Sequence, residues 1–118
     1  MKKIFLYTTD ESKRKAIEKL CKDQDFILCG IGFKDINRTV SEICGMPVKL
    51  NKEHKKAPAM YMLPELMLFF GTDDKALDEF LDAYHDAGIA MIKRKAVVTP
   101  TNLGWTLYEL AEELGREC

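Results

Sequence analysis

Apolar residues fall along the chain in two kinds of pattern. Four short continuous runs, residues 4–7, 26–29, 66–70 and 96–98, are bounded by polar or glycine-containing stretches. Continuous apolar runs of this length read as strands of a parallel sheet covered on both faces. Between and after them the apolar positions recur at spacings of three and four, the period of a helix with one buried face. Ala16, Ile17, Leu20 and Cys21 mark the first such face, Leu77, Phe80, Leu81, Tyr84 and Ala87 the third, and Leu107, Leu110, Ala111 and Leu114 the last. Thr39-x-x-Glu42 and Thr106-x-x-Glu109 are capping boxes that start the second and fourth helices. Thr9 and Thr72 are the expected N-caps of the first and third, with Asp10, Glu11, Asp73 and Asp74 suited to the positive end of the helix dipole.

The pattern repeats. Residues 4–10 match residues 67–73 at an offset of 63, each an apolar run ending in Thr-Asp, and residues 35–43 match residues 102–110 at an offset of 67, with Thr and Glu identical. Self-similarity of this kind predicts two copies of one unit. The expected fold is a single α/β domain over residues 1–118, with repeats at 1–45 and 66–115 joined by a linker at 46–65. Two βαβα units then form one four-stranded, mainly parallel sheet in the order 2-1-3-4, with helices on both faces. The linker carries Pro47, Pro58 and Pro64 and a basic cluster, Lys49, Lys52, His54, Lys55 and Lys56 against Glu53. Loops of this length in a small domain are functional or mobile, so a protease is expected to cut first near residues 52–56.

Composition narrows the class without naming a function. With 118 residues, 47% hydrophobic, 31% charged and a formal net charge of -1, the chain is neither disordered nor strongly basic. That balance argues against nucleic acid as the main partner, despite the linker lysines and the run Lys93-Arg94-Lys95. Cys21, Cys29, Cys44 and Cys118 are scattered, with no C-x-x-C pair and no histidine at finger spacing, so no metal and no cofactor is expected. The longest apolar run, residues 66–70, is far below the roughly 20 residues that cross a bilayer, and residues 1–9 are too short for a signal peptide. A cytoplasmic protein with free cysteines is the expectation.

Catalytic patterns are missing. His54 and His85 have no neighbours resembling a triad, no G-x-S-x-G elbow occurs, and Gly30-Ile31-Gly32 lacks the third glycine of a dinucleotide turn. A parallel sheet in the order 2-1-3-4 places a crevice at the carboxyl ends of its strands. Thr9, Asp10, Thr72, Asp73, Thr99, Thr101 and Asn102 would line it as ligand-binding residues, with two helix amino termini offering N–H groups to an anion. Trp105 precedes a helix cap; it is expected to staple onto Leu110 and be largely buried, or else to serve as a partner contact if exposed.

The carboxyl-terminal half resembles a small bacterial family known as domain of unknown function 3783. Leu66-Met67-Leu68-Phe69-Phe70 is similar to its P-M-L-V-F motif, and Gly104-Trp105-Thr106 to its N-W-T motif, with residues 95–102 leading into the second. Leu66 stands in place of the motif's Pro and Gly104 in place of its Asn. The resemblance implies a bacterial cytosolic protein and no particular reaction. The leading expectation is therefore a non-enzymatic module that binds a small molecule or a protein, and a homo-oligomer is compatible with it. An enzyme would use Asp10 and Asp73 on a phosphate ester or nucleotide in the crevice, and a weak nucleic-acid binder would use the linker.

Overall fold

The computed structural model describes residues 2–46 and 56–117, with side chains described as far as residue 116. The expected mobility of residues 52–56 therefore falls mostly outside the described residues, as do His54 and Cys118. In chain order the elements are β1 (Lys3–Tyr7), α1 (Glu11–Asp23), β2 (Ile27–Gly30), α2 (Val40–Ile43), β3 (Leu66–Phe70), α3 (Asp74–Asp86), β4 (Arg94–Val97) and α4 (Leu107–Glu117), with a 3-10 turn at Phe33–Asp35 before α2.

One sheet holds all four strands in the order β2-β1-β3-β4. β1 runs parallel to β2, and β3 parallel to β4. The central pair, β1 and β3, is antiparallel, with Phe5 opposite Leu68. The expected strand order and mixed α/β class are found. The expected common crevice is not, because antiparallel central strands send the carboxyl ends of the two units to opposite edges of the sheet.

Side-chain alternation splits the core into two layers. Ile4 and Leu6 of β1 and Met67 and Phe69 of β3 face α1 and α3, where they meet Ile17, Leu20, Phe80 and Tyr84. Phe80 is fully buried and touches both Phe26 and Phe69 edge-on, with ring centroids at 5.0 and 5.7 Å. Phe5, Leu66 and Leu68 face the other way and pack with Val40 of α2 and Leu107, Leu110, Ala111 and Leu114 of α4. Burial of whole side chains at roughly 1.5–3 kcal/mol each makes these two layers the main source of stability.

The outer strands depart from the expected bounds. Phe26 packs in the core, and the ladder begins one residue later, where the Ile27 N–H donates to the Lys2 carbonyl at 2.9 Å. β4 opens with Arg94 and Lys95, which an apolar-run criterion passes over. Both are edge strands, and each leaves one apolar residue in solvent, Ile27 and Val97. The helix caps differ as well. Asp10 and Asp73, not Thr9 and Thr72, are the N-caps, their carboxylates accepting from the N–H groups of Lys13 and Ala76 at 3.1 and 2.8 Å.

Contacts across the middle of the molecule come in exchanged pairs. Thr39 bridges Thr106 in antiparallel fashion. The Val40 N–H donates to the Trp105 carbonyl at 2.8 Å, and the Leu107 N–H to the Arg38 carbonyl at 2.9 Å; Ser41 donates to Leu103 at 3.0 Å, and Tyr108 to Ile36 at 2.9 Å. Each bond is the counterpart of another at an offset of 67, as Phe5 is of Leu68 at 63. Phe5 pairs with Leu68 in the middle of the central strand pair, and Thr39 with Thr106 between the starts of α2 and α4.

Candidate partner-contact site

The expected ligand residues divide between two edges. Thr9 and Asp10 follow β1 at one edge, while Thr72 and Asp73 follow β3 at the other, near the loop that carries Thr99, Thr101 and Asn102 after β4. Asp10 and Asp73 are engaged in capping their helices, and the Thr72 hydroxyl donates to the Asp73 carbonyl at 3.1 Å. Beside Asp10 lies a different cluster. Thr8 is buried and its hydroxyl donates to Glu65, which also accepts from the Lys13 ammonium at 2.9 Å. Burial works against the charge on Glu65, but the hydrogen bonds from Thr8 and Lys13, with Lys13's charge, outweigh it and hold the carboxyl below its ordinary range. The cluster fastens the start of β3 to α1.

Asn102 is a structural residue. It is buried, its side-chain oxygen accepts from the Thr99 N–H at 2.9 Å, and its amide nitrogen donates to the Val97 carbonyl at 3.0 Å. Its counterpart 67 residues earlier is Asp35, also buried, which accepts from the Gly32 N–H at 3.0 Å. Both ends of the Asn102 side chain, expected to line a ligand crevice, are used to close the turn. Thr99 and Thr101 stay exposed nearby.

The capping box at Thr106 sets the direction of Trp105. The Thr106 N–H donates to Glu109 at 3.0 Å, and the Glu109 N–H returns a bond to the Thr106 hydroxyl at 3.2 Å, so α4 begins after Thr106 and Trp105 stands just before the cap. The expected staple is partly realised. Trp105 packs against the layer that contains Leu110, yet it is half-buried instead of enclosed. Its remaining surface borders a groove on each side.

The first groove, of about 220 Å³, is lined by Trp105, Tyr108, Glu109, Glu112, Glu113 and Arg116. These positions recur at spacings of three and four, which puts them on one outer stripe of α4. Tyr61 packs edge-on against Tyr108, with ring centroids at 4.7 Å. Burial, with the charge of Glu112, pushes the Tyr61 phenol above its ordinary range, so it remains a neutral donor. Arg116 is held by Glu113 at 3.1 Å, which leaves the stripe with an excess of carboxylates. The second groove, of about 260 Å³, lies on the other side of Trp105 and includes Lys95, Thr99, Thr101 and Leu114. Reading the sequence for helix faces found the apolar side of α4 and passed over this opposite stripe, although its signal is the same period.

Among the described residues no group of three or more His, Cys, Asp or Glu side chains is placed to hold a metal ion. No described helix is long and apolar enough to cross a membrane. Residues 65–118 match a family described as Domain of unknown function (DUF3783), a span that takes in β3, α3, β4 and α4. No curated protein and no solved structure matches the chain.

Proposed function

We propose that the protein is a non-enzymatic binding module whose contact surface is the outer stripe of α4 around Trp105, and that it receives a positively charged segment of a protein partner. The observation that carries this reading is the half-buried indole set between two grooves. An aromatic face beside several carboxylates suits a lysine or arginine side chain, which gains both cation–π attraction and an ion pair. Large aromatic residues at the rim of a groove are also the usual anchors of protein interfaces. The enzyme alternative needs Asp10 and Asp73 at one site, and the antiparallel central strands separate them.

The same reading takes residues 1–45 and 66–115 as two copies of one unit, supported by the exchanged hydrogen bonds at an offset of 67 and by a family match that spans the second unit. A bacterial, cytoplasmic setting fits it, with Cys21, Cys29 and Cys44 as free thiols.

Trp105 is the only tryptophan in the chain, so its emission reports directly on the groove. Titration with an oligolysine peptide is expected to change that emission saturably, and Glu112→Lys to weaken the response about tenfold, as removal of one favourable charge contact and creation of a repulsion would do. An oligoglutamate peptide should have no effect. Absence of a saturable change with oligolysine would overturn the reading.

A further inference from the structure

The correspondence between the halves at an offset of 67 breaks down at one place. In the second unit α4 runs on past Ala111 to Glu117, bringing Leu114 into the core layer and Gly115 so near Arg94 that a Cβ there would lie 2.9 Å from the guanidinium. In the first unit α2 ends after one turn at Ile43, and Gly45 follows with φ 74°. A groove of about 300 Å³ lies beside it, over β1 and β2.

Its wall residues Cys29, Asp35, Arg38 and Ile43 have Ala96, Asn102, Trp105 and Leu110 as counterparts at an offset of 67, and there Leu114 of α4 joins the wall. Phe5 and Ile31 add apolar surface to the lining, and Lys3 and Lys34 add positive charge. Among the described lining residues Asp35 is the one carboxylate, and Arg38 is bonded to it at 2.9 Å. Neither Lys3 nor Lys34 has a carboxylate partner among the described residues.

We infer that this groove is a docking site for an amphipathic helix of a partner protein with an acidic outer face, seated over β1 and β2 as the last turns of α4 are seated over β4. The occupant's shape follows from the second unit, where the added turns of α4 bring Leu114 into the core layer beside Leu110 and Ala111. Its charge follows from Lys3 and Lys34, which have no carboxylate partner among the described residues and beside Phe5 and Ile31 favour carboxylates flanking the buried side chains. The inference concerns a different face from the Trp105 stripe and does not depend on it.

The test uses the full chain and a helix-stapled peptide of about 14 residues, with Leu and Ala on one face and Glu on the others; the staple is needed because a free helix of that length is marginal. The acidic peptide is expected to bind saturably, to shift the amide resonances of Phe5, Cys29, Ile31 and Ile43, and to lose affinity about tenfold with Lys34→Glu. Lys34 is exposed, so this change should leave the thermal melt in place. The same peptide with Lys for Glu should bind at least about tenfold more weakly, and Trp105→Ala should not alter the affinity for the acidic form. The inference is overturned by no binding, by binding that ignores Lys34→Glu, or by resonance shifts confined to α1 and α3. Two further results would also overturn it: Lys34-dependent binding of a single-stranded oligonucleotide in place of the peptide, or Lys34-dependent self-association.

Discussion

Asn102 and Trp105 stand three residues apart and do different work. Asn102→Ala would leave the Thr99 N–H and the Val97 carbonyl without their partners, a loss expected to cost about 2 kcal/mol in chemical denaturation. Trp105→Ala removes only the buried half of an indole and is expected to cost about 2 kcal/mol or less, while removing the response to oligolysine. A variant with full stability loss and intact peptide response would reverse the two assignments. The buried thiols and Tyr84 act on pH. Burial, with Glu18's charge, pushes Cys21 up to about 12, burial pushes Cys44 up to about 11, and Tyr84 rises to about 12 while its hydroxyl donates to the Ala90 carbonyl at 2.6 Å. The folded state therefore holds these protons more tightly than the unfolded chain. Their contribution is complete below about pH 9 and declines as the pH rises toward 12, so urea midpoints should fall over that window, less steeply in Cys21→Val.

At the scale of elements, the helix starts carry testable weight. Thr106→Ala removes the acceptor of the Glu109 N–H and should cost about 1 kcal/mol, with a similar loss for Thr39→Ala, where the Glu42 N–H is bonded at 3.2 Å. Glu65 links three elements through Thr8 and Lys13. Because its folded-state pKa is lowered, its stabilisation is present above the ordinary glutamate pKa and is lost as the pH falls through the lowered value. Glu65→Gln should thus be less stable than the parent at neutral pH. The difference should shrink as the solution is acidified into that range; a difference independent of pH would mean that Glu65 acts by packing alone.

For the whole molecule, the exchanged hydrogen bonds around Thr39 and Thr106 predict cooperative unfolding. The amides of Val40, Ser41, Leu107 and Tyr108 each bond to the other half of the chain. Their hydrogen exchange should therefore be slow, with opening free energies close to the global value and to one another. Phe5→Ala and Leu68→Ala, which pair across the central strands, should lower a single transition by about 3 kcal/mol each. Two separate transitions, one for each half, would show that the halves are only loosely joined.

The sequence by itself determined the elements, their order and the match between the halves, because strand and helix periods and capping boxes are set by residues close together in the chain. Thr39 and Thr106 were legible as helix starts for that reason, and the apolar runs of β1 and β3 as central strands. Only the tertiary structure decided that β1 and β3 run antiparallel, since continuous apolar runs buried on both faces carry no direction. That one choice placed Asp10 and Asp73 at opposite edges and dissolved the expected crevice. It also placed Thr39 against Thr106, residues far apart in the chain, and left the short α2 beside a groove over β1 and β2. Asn102 shows the same limit in a single side chain: its type announced a polar role, but whether its amide turned to a ligand or to its own backbone depended on the path of the loop around it.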